Sequence, residues 1–363
     1  FARGSRNQPV VFTSSKEPGA RARGDWGGVV LLGKAPVNEP NARIEGVPEN
    51  DTRGQFGGSD TQHSCGVVQY TRIEFAGFEV YQNNELNGLT LGGCGSNTII
   101  QNVQVHRALD DGIEMFGGTV DLKNILVTGA ADDSIDWDNG FQGKMQHILV
   151  KQADDNSDAN RGIEADNDGS TPSKTPKSNP TIANLTIIGN TFDGEDDSEG
   201  ILLRAGTAGA LYNVIVTGPA GMGECFEINS DESVTNAGNG EIIFRNSIID
   251  CAEPFKNSVD DNDVETLDAA AWFNNQPGNI VGGALLGGYV PAPNSPALGN
   301  GYNVANNVDS WFDNVDYIGA FDGETDWTLG WTVGIHPEDD LASCPAGTTE
   351  VNSLTGRLNC QLT

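Results

Sequence analysis

Two stretches of the chain, "ALDDGIEMFGGTV" at 108 to 120 and "AADDSIDWDNGFQG" at 130 to 143, superimpose at a constant offset of 22 residues. Asp110 matches Asp132, Asp111 matches Asp133, Ile113 matches Ile135 and Glu114 matches Asp136. Acids in this pattern can hold a hard divalent cation, since calcium takes about six to eight oxygen ligands and tolerates irregular cages. They can also do acid–base work, since cleaving a glycosidic bond uses one carboxyl as acid and another as base or nucleophile. Either chemistry requires carboxylates that are distant in sequence to lie side by side.

The elements that would position them repeat as well. One type of segment recurs as "NGLTL" at 87, "DGIEM" at 111, "DSIDW" at 133, "RGIEA" at 161, "EGILL" at 199 and "ECFEI" at 224, spaced by 24, 22, 28, 38 and 25 residues. A second type follows each: "TIIQNVQV", "DLKNILV", "KMQHILV", "TIANLTII", "ALYNVIV" and "EIIFRNSII". A unit this short cannot bury an apolar face alone and must stack on copies of itself, which makes a solenoid. Stacked strands place equivalent residues about 4.8 Å apart. Alternation then points Leu89, Leu91, Ile113, Met115, Ile135, Trp137, Ile163, Ala165, Ile201, Leu203, Phe226 and Ile228 inward. Thr90, Glu114, Asp136, Glu164, Leu202 and Glu227 point outward. In the second segments Asn102, Asn124, Asn184, Asn213 and Asn246 align, with His147 once in their place, and are expected to form a hydrogen-bonded ladder up and down the stack.

With these repeats the chain resembles the right-handed parallel β-helices of the pectate-lyase-like superfamily over about residues 9 to 256. More narrowly, "GDWGGVVLLGKAPVN", "NELNGLTLGG", "DDGIEMFGGTV", "TGAADDSIDWDNGFQGK", "RGIEADN", "SNPTIANLTIIG" and "LYNVIVTG" are similar to motifs of a largely uncharacterised group of secreted or cell-surface bacterial β-helix proteins. The resemblance implies an all-β solenoid and an extracellular location, and says little about activity.

Composition agrees. Of 363 residues 47 are Gly and 37% are hydrophobic, a mix that favours short strands and tight turns over long helices. The 20 basic residues face 51 acidic ones, a net charge of −31 that disfavours nucleic acid and makes cations the natural partners. No apolar run reaches the roughly 20 residues of a membrane span. Six cysteines, none in a C-x-x-C pair, are expected to form three local disulfides, Cys65 with Cys94, Cys225 with Cys251 and Cys344 with Cys360, in an oxidising compartment.

The expected organisation is a β-helix over 1–256 with corner insertions at 35–64 and 153–180, then late coils and an aromatic cap over the C-terminal end at 257–340. A disulfide-closed segment at 341–363 would begin further β-structure. The chain opens without an initiator Met and is expected to be a processed or partial product. Open terminal coils could let a second copy stack head to tail into a fibre.

Three readings of the acids stay open. Asp-Asp pairs can simply cap solvated turns. Calcium could sit among Asp110, Asp111, Asp132 and Asp133 at one corner, with Asp136, Asp138, Glu164, Asp166 and Asp168 on the adjoining face. Catalysis is the third: the Asp-Asp pairs are similar to those of polygalacturonase-like enzymes, which would nominate Asp111, Asp132 and Asp133, although the Gly-His-Gly and Arg-Ile-Lys segments of those enzymes are missing. A lyase would need a basic residue such as Lys144, Arg161 or Arg204, and no motif singles one out. No G-x-S-x-G accompanies His63, His106, His147 or His336. Trp311, Trp327 and Trp331 could stack sugar rings, but fit the end cap better. The sequence therefore points to a secreted or surface-displayed acidic rod with a structural, adhesive or glycan-binding role, possible calcium, and a glycan or another copy of itself as partner. The alternative is a polysaccharide-cleaving hydrolase or lyase.

Overall fold

The computed structural model describes the chain except residues 49, 81–85, 154, 156–160, 192–197, 261, 337–347, 351–359 and 363. Each coil contributes one strand to each of two parallel sheets. The seven-stranded sheet runs from Val29–Leu32 through Leu89–Gly92, Ile113–Phe116, Ile135–Asp138, Arg161–Ala165 and Glu199–Leu203 to Phe226–Ile228. The eleven-stranded sheet is built mainly from Val67–Glu74, Ile99–His106, Asp121–Thr128, Lys144–Lys151, Thr181–Ile188 and Gly209–Thr217, with shorter strands at both ends. The chain is a right-handed parallel β-helix. The two repeated sequence types are its two sheets. The Arg161–Ala165 strand falls inside the expected 153–180 insertion and divides it, because Ile163 and Ala165 are drawn into the core.

Register is residue on residue. Leu89, Ile113, Ile135, Ile163, Ile201 and Phe226 form one inward column, and Leu91, Met115, Trp137, Ala165, Leu203 and Ile228 another, all buried. The Cys65–Cys94 disulfide (S–S 2.04 Å) and the Cys225–Cys251 disulfide tie neighbouring coils, as their spacing implied. Cys344 lies outside the described residues, so that third pairing has no structural counterpart here.

The asparagine column has a different cause from the one expected. Asn102, Asn124, His147, Asn184, Asn213 and Asn246 all adopt positive φ, between 49° and 57°, and the ladder skips them and resumes beyond. Each eight-residue strand thereby turns a corner. Asn reaches this left-handed region more readily than other non-glycine residues. The side chains bond away from one another: Asn184 Nδ2 donates to Tyr317 O, Asn213 Nδ2 to Tyr302 O and Asn246 Nδ2 to Asn300 O, each at 2.9 Å.

Those acceptors lie on a segment expected over the C-terminal end. Of the three aromatic stretches expected there, "AAWFNN" does cover that end: in the Ala269–Asn275 helix, Trp272 stacks on Phe226 at 5.8 Å and Phe273 packs on Phe244 at 5.4 Å. That cover obstructs one of the two faces that head-to-tail stacking would use. The remaining aromatic residues belong to a strap that runs back along the long sheet, against the direction of winding. It covers the outward column Arg72, Gln104, Leu126, Leu149, Thr186, Ile215 and Ile248, each at most 1% exposed. Ala320 N donates to Thr186 Oγ1 at 2.9 Å and Val333 N to Gln104 Oε1 at 2.9 Å, while Phe321 and Trp327 pack over Leu126 and Leu149. Trp331, fully buried, accepts from Arg72 at its carbonyl and meets Tyr70 edge-on at 5.9 Å.

If backbone conformation selects the asparagines, Asn124→Gly should cost under about 1 kcal/mol, and Asn124→Val about 1–2 kcal/mol more, for a β-branched residue in the left-handed region. Urea denaturation of the two variants distinguishes the causes: equal losses would assign the position to its side chain.

Candidate functional site

The outward face of the short sheet carries the acids. Thr90, Glu114, Asp136, Glu164, Leu202 and Glu227 stand in one register column, as alternation predicted. At water's dielectric two charges at this spacing repel by about 0.9 kcal/mol, and at an effective dielectric near 20 by about 3.5 kcal/mol, so a stack of carboxylates needs an offset.

The second member of each Asp-Asp pair is a corner acceptor. Asp111 Oδ1 accepts from Asp133 N at 3.0 Å, and Asp133 Oδ1 accepts from Arg161 N at 2.8 Å. Both side chains are buried, and each holds up the start of the next strand. The constant spacing of the two motifs follows from this role: an acid at the corner of one coil receives the amide at the same corner of the next.

Toward the C-terminal coils, cations offset the acids. Arg161 Nη1 donates to Glu164 Oε1 at 2.7 Å and its Nε to Glu199 Oε2 at 3.1 Å. Arg204 Nη2 donates to Glu164 Oε2 at 2.6 Å and its Nε to Asp166 Oδ1 at 3.0 Å. Lys256 bridges Glu199 and Glu227 at 3.2 and 3.1 Å. Lys174 pairs with Asp168 at 2.5 Å and with Glu39 from the 35–64 insertion. Burial works against Asp168, but Lys174, Ser170 and Thr171 outweigh it and hold its carboxyl below the usual range.

The N-terminal half of the face is different. Burial pushes Asp111, Glu114, Asp133 and Asp136 well above the ordinary carboxylate range. For Asp136 the largest charge effects after burial come from Glu114, Glu164, Asp133 and Asp166, all carboxylates. Asp138 is pushed up to about 7 by burial, against a hydrogen bond from Asn139 N and with Asp166 and Asp168 adding to the rise. Among the described residues two groups present ligand atoms within 4.8 Å of one another: Asp110, Asp111 and Asp132, and Asp111, Glu114 and Asp136.

The nine acids expected around calcium therefore separate. Asp111 meets Asp110 and Asp132 in one group and Asp136 in another; Asp133 turns into the corner beside Arg161; Glu164, Asp166 and Asp168 face arginine or lysine; Asp138 lies two residues beyond Asp136 on the same strand. Glu114 joins the cluster, and so does Asn87, whose Nδ2 donates to Glu114 Oε2. Asn87 precedes Gly88 as Asp111 precedes Gly112, and that shared corner position was the available signal. Of the catalytic candidates, Asp111 and Asp133 spend an oxygen each on backbone amides, while Asp132 is partly exposed. The histidines have structural partners: His106, half-buried, meets Thr128 and is held down to about 3 by desolvation and by the nearby Arg107, Arg23 and Arg72, His147 meets Asp313, His336 meets Thr328, and His63 lies near Asp60.

A family model described as a pectate-lyase-like β-helix domain matches residues 1–285. The chain belongs to the pectate-lyase-like β-helix family. No curated protein and no solved structure has significant similarity to this family member. The disulfides of this β-helix indicate folding in an oxidising compartment. Among its described residues no helix is long and apolar enough to cross a membrane.

The raised carboxyls give a pH dependence with a definite sign. An acid whose folded value lies above its unfolded one binds more protons when folded, so stability is greatest below the unfolded value and is lost as pH rises toward the folded one. For Asp138 that window runs from 3.8 to about 7. Groups held low, such as Asp168, titrate below it. The chelator-treated protein should therefore melt several degrees lower at about pH 7.5 than at about pH 5. A melting temperature that rises across this interval contradicts the assignment.

Proposed function

We propose that this β-helix is a non-catalytic, secreted or surface-displayed bacterial scaffold with a structural, adhesive or glycan-binding role, and that calcium held among its stacked carboxylates stabilises it. One observation carries the reading: Arg161, Arg204, Lys174 and Lys256 offset the acids of the C-terminal coils, whereas around Asp136 the dominant charges are other carboxylates. A hard cation supplies the missing positive charge and accepts the oxygen donors present. Open positions on such an ion take hydroxyl groups, which suits a glycan partner. Surface location fits the disulfides and the strong acidic charge, which keeps molecules apart in solution.

A polysaccharide-cleaving enzyme using Asp111, Asp132 and Asp133 is the second reading. It requires carboxyls free to exchange protons with substrate. Two of the three support the next coil through backbone hydrogen bonds, which favours the scaffold.

Chelation should lower the melting temperature by several degrees, and added calcium should restore it and flatten the decline toward neutral pH. Incubation with acidic and neutral polysaccharides should release no product from either the intact protein or Asp132→Ala. Turnover that the substitution abolishes would establish the enzyme instead, and a melting temperature indifferent to chelation would remove calcium from the proposal.

A further inference from the structure

We infer that the cation site is a specific one set between three successive coils, with Asn87, Asp111, Glu114 and Asp136 as its ligands. The inference rests on the proposal that calcium offsets the acid face, and narrows that face to four side chains, two of them outside the acids first expected.

Distance is the first argument. The ligand oxygens of Asp111, Glu114 and Asp136 lie within 4.8 Å of one another. Oxygens on opposite sides of calcium, each about 2.3–2.6 Å from the ion, stand about 4.6–5.2 Å apart, and adjacent ones stand closer. The three carboxylates need little movement to close on such an ion.

The second argument is independent of charge. Asn87 is 3% exposed, its Nδ2 is committed to Glu114 Oε2 and Thr90 Oγ1, and its Oδ1 has no hydrogen-bond partner among the described residues. Oδ1 of Asp136 is likewise buried without a partner among the described residues. A buried acceptor left unsatisfied is costly, and two such oxygens beside one cluster of acids call for a shared positive partner. A side-chain amide oxygen is an ordinary calcium ligand. Magnesium suits the site less well, because it keeps most of its water and demands octahedral geometry.

The scaffold supports the same set. Asp111 is fixed by the amide of Asp133 at 3.0 Å, so its carboxylate is already oriented. Arg161 and Arg204 are directed at Glu164, Asp166 and Glu199, on the following coils. Asn87, the Asp111–Glu114 pair and Asp136 come from three consecutive turns. A bound ion would staple those turns where carboxylates face one another.

The test is calorimetric titration of calcium chloride into the chelator-treated full chain. One ion should bind tightly. Asp136→Asn should abolish that binding, Asn87→Ala should weaken it at least tenfold, and Asp168→Asn, whose carboxylate serves Lys174, should leave it within about twofold. Asp136→Asn removes a repelled charge, so its calcium-free melting temperature should equal or exceed that of the parent, which separates lost binding from lost folding. If the parent binds no calcium, both this site and the broader cation proposal fail. If the parent binds and both Asp136→Asn and Asn87→Ala bind equally well, this site alone is overturned and the ion lies elsewhere on the face.

Discussion

Parallel strands stacked in register oblige every side chain to lie against its own counterpart one coil away, at about 4.8 Å. The constraint treats residue types differently. A column of Ile, Leu and Met gains burial at each step, as the inward columns do from Leu89 to Phe226 and from Leu91 to Ile228. A column of carboxylates accumulates repulsion at each step. Once the chain places Glu114, Asp136 and Glu164 in one line, it must supply positive charge, protons or a break in the line. Leu202 is such a break, and Arg161, Arg204 and Lys256 supply charge around it.

The columns were legible in the sequence because they depend only on period and alternation, which a solenoid converts directly into neighbours. The strap was not. Trp311, Phe321, Trp327 and Trp331 have the composition of an end cap, and composition does not distinguish a cap from a segment laid along a flank. The informative signal was on the sheet: Leu126, Leu149, Ile215 and Ile248 occupy outward positions yet are apolar, so that "ILV" and its equivalents read as strands buried on both faces. An apolar outward column in a solenoid calls for a cover, and the residues beyond the last coil were available to provide it. The asparagines show the converse error. Their alignment was correct, but alignment alone could not separate a side-chain ladder from a backbone conformation that asparagine tolerates.

The acid face divides the same way. That Glu114 and Asp136 would be adjacent followed from the interval of 22 residues. Which acids would be met by cations did not, because Lys174 reaches Asp168 from a corner loop and Lys256 reaches Glu199 and Glu227 from beyond the last strand of the short sheet. Loop geometry of that kind has no period. Asn87 escaped attention for a related reason: a neutral residue does not register in a search for clustered charge, although its corner position is the one Asp111 and Asp133 occupy on the next two coils.

The two halves of the face therefore meet one constraint in different ways. Where Arg161 and Arg204 lie among Glu164, Asp166 and Glu199, each carboxylate has a cationic partner within the chain. Around Asp136 the chain brings acids and an amide together with oxygens left over. Replacing Asp136 with a neutral residue would have removed the repulsion at little cost to the strand, since Leu202 fills the equivalent position two coils later without disturbing the register. A fold that can accept an apolar side chain in this column has no structural need of a carboxylate there. The charge at Asp136 is the one that the proposed cation would offset.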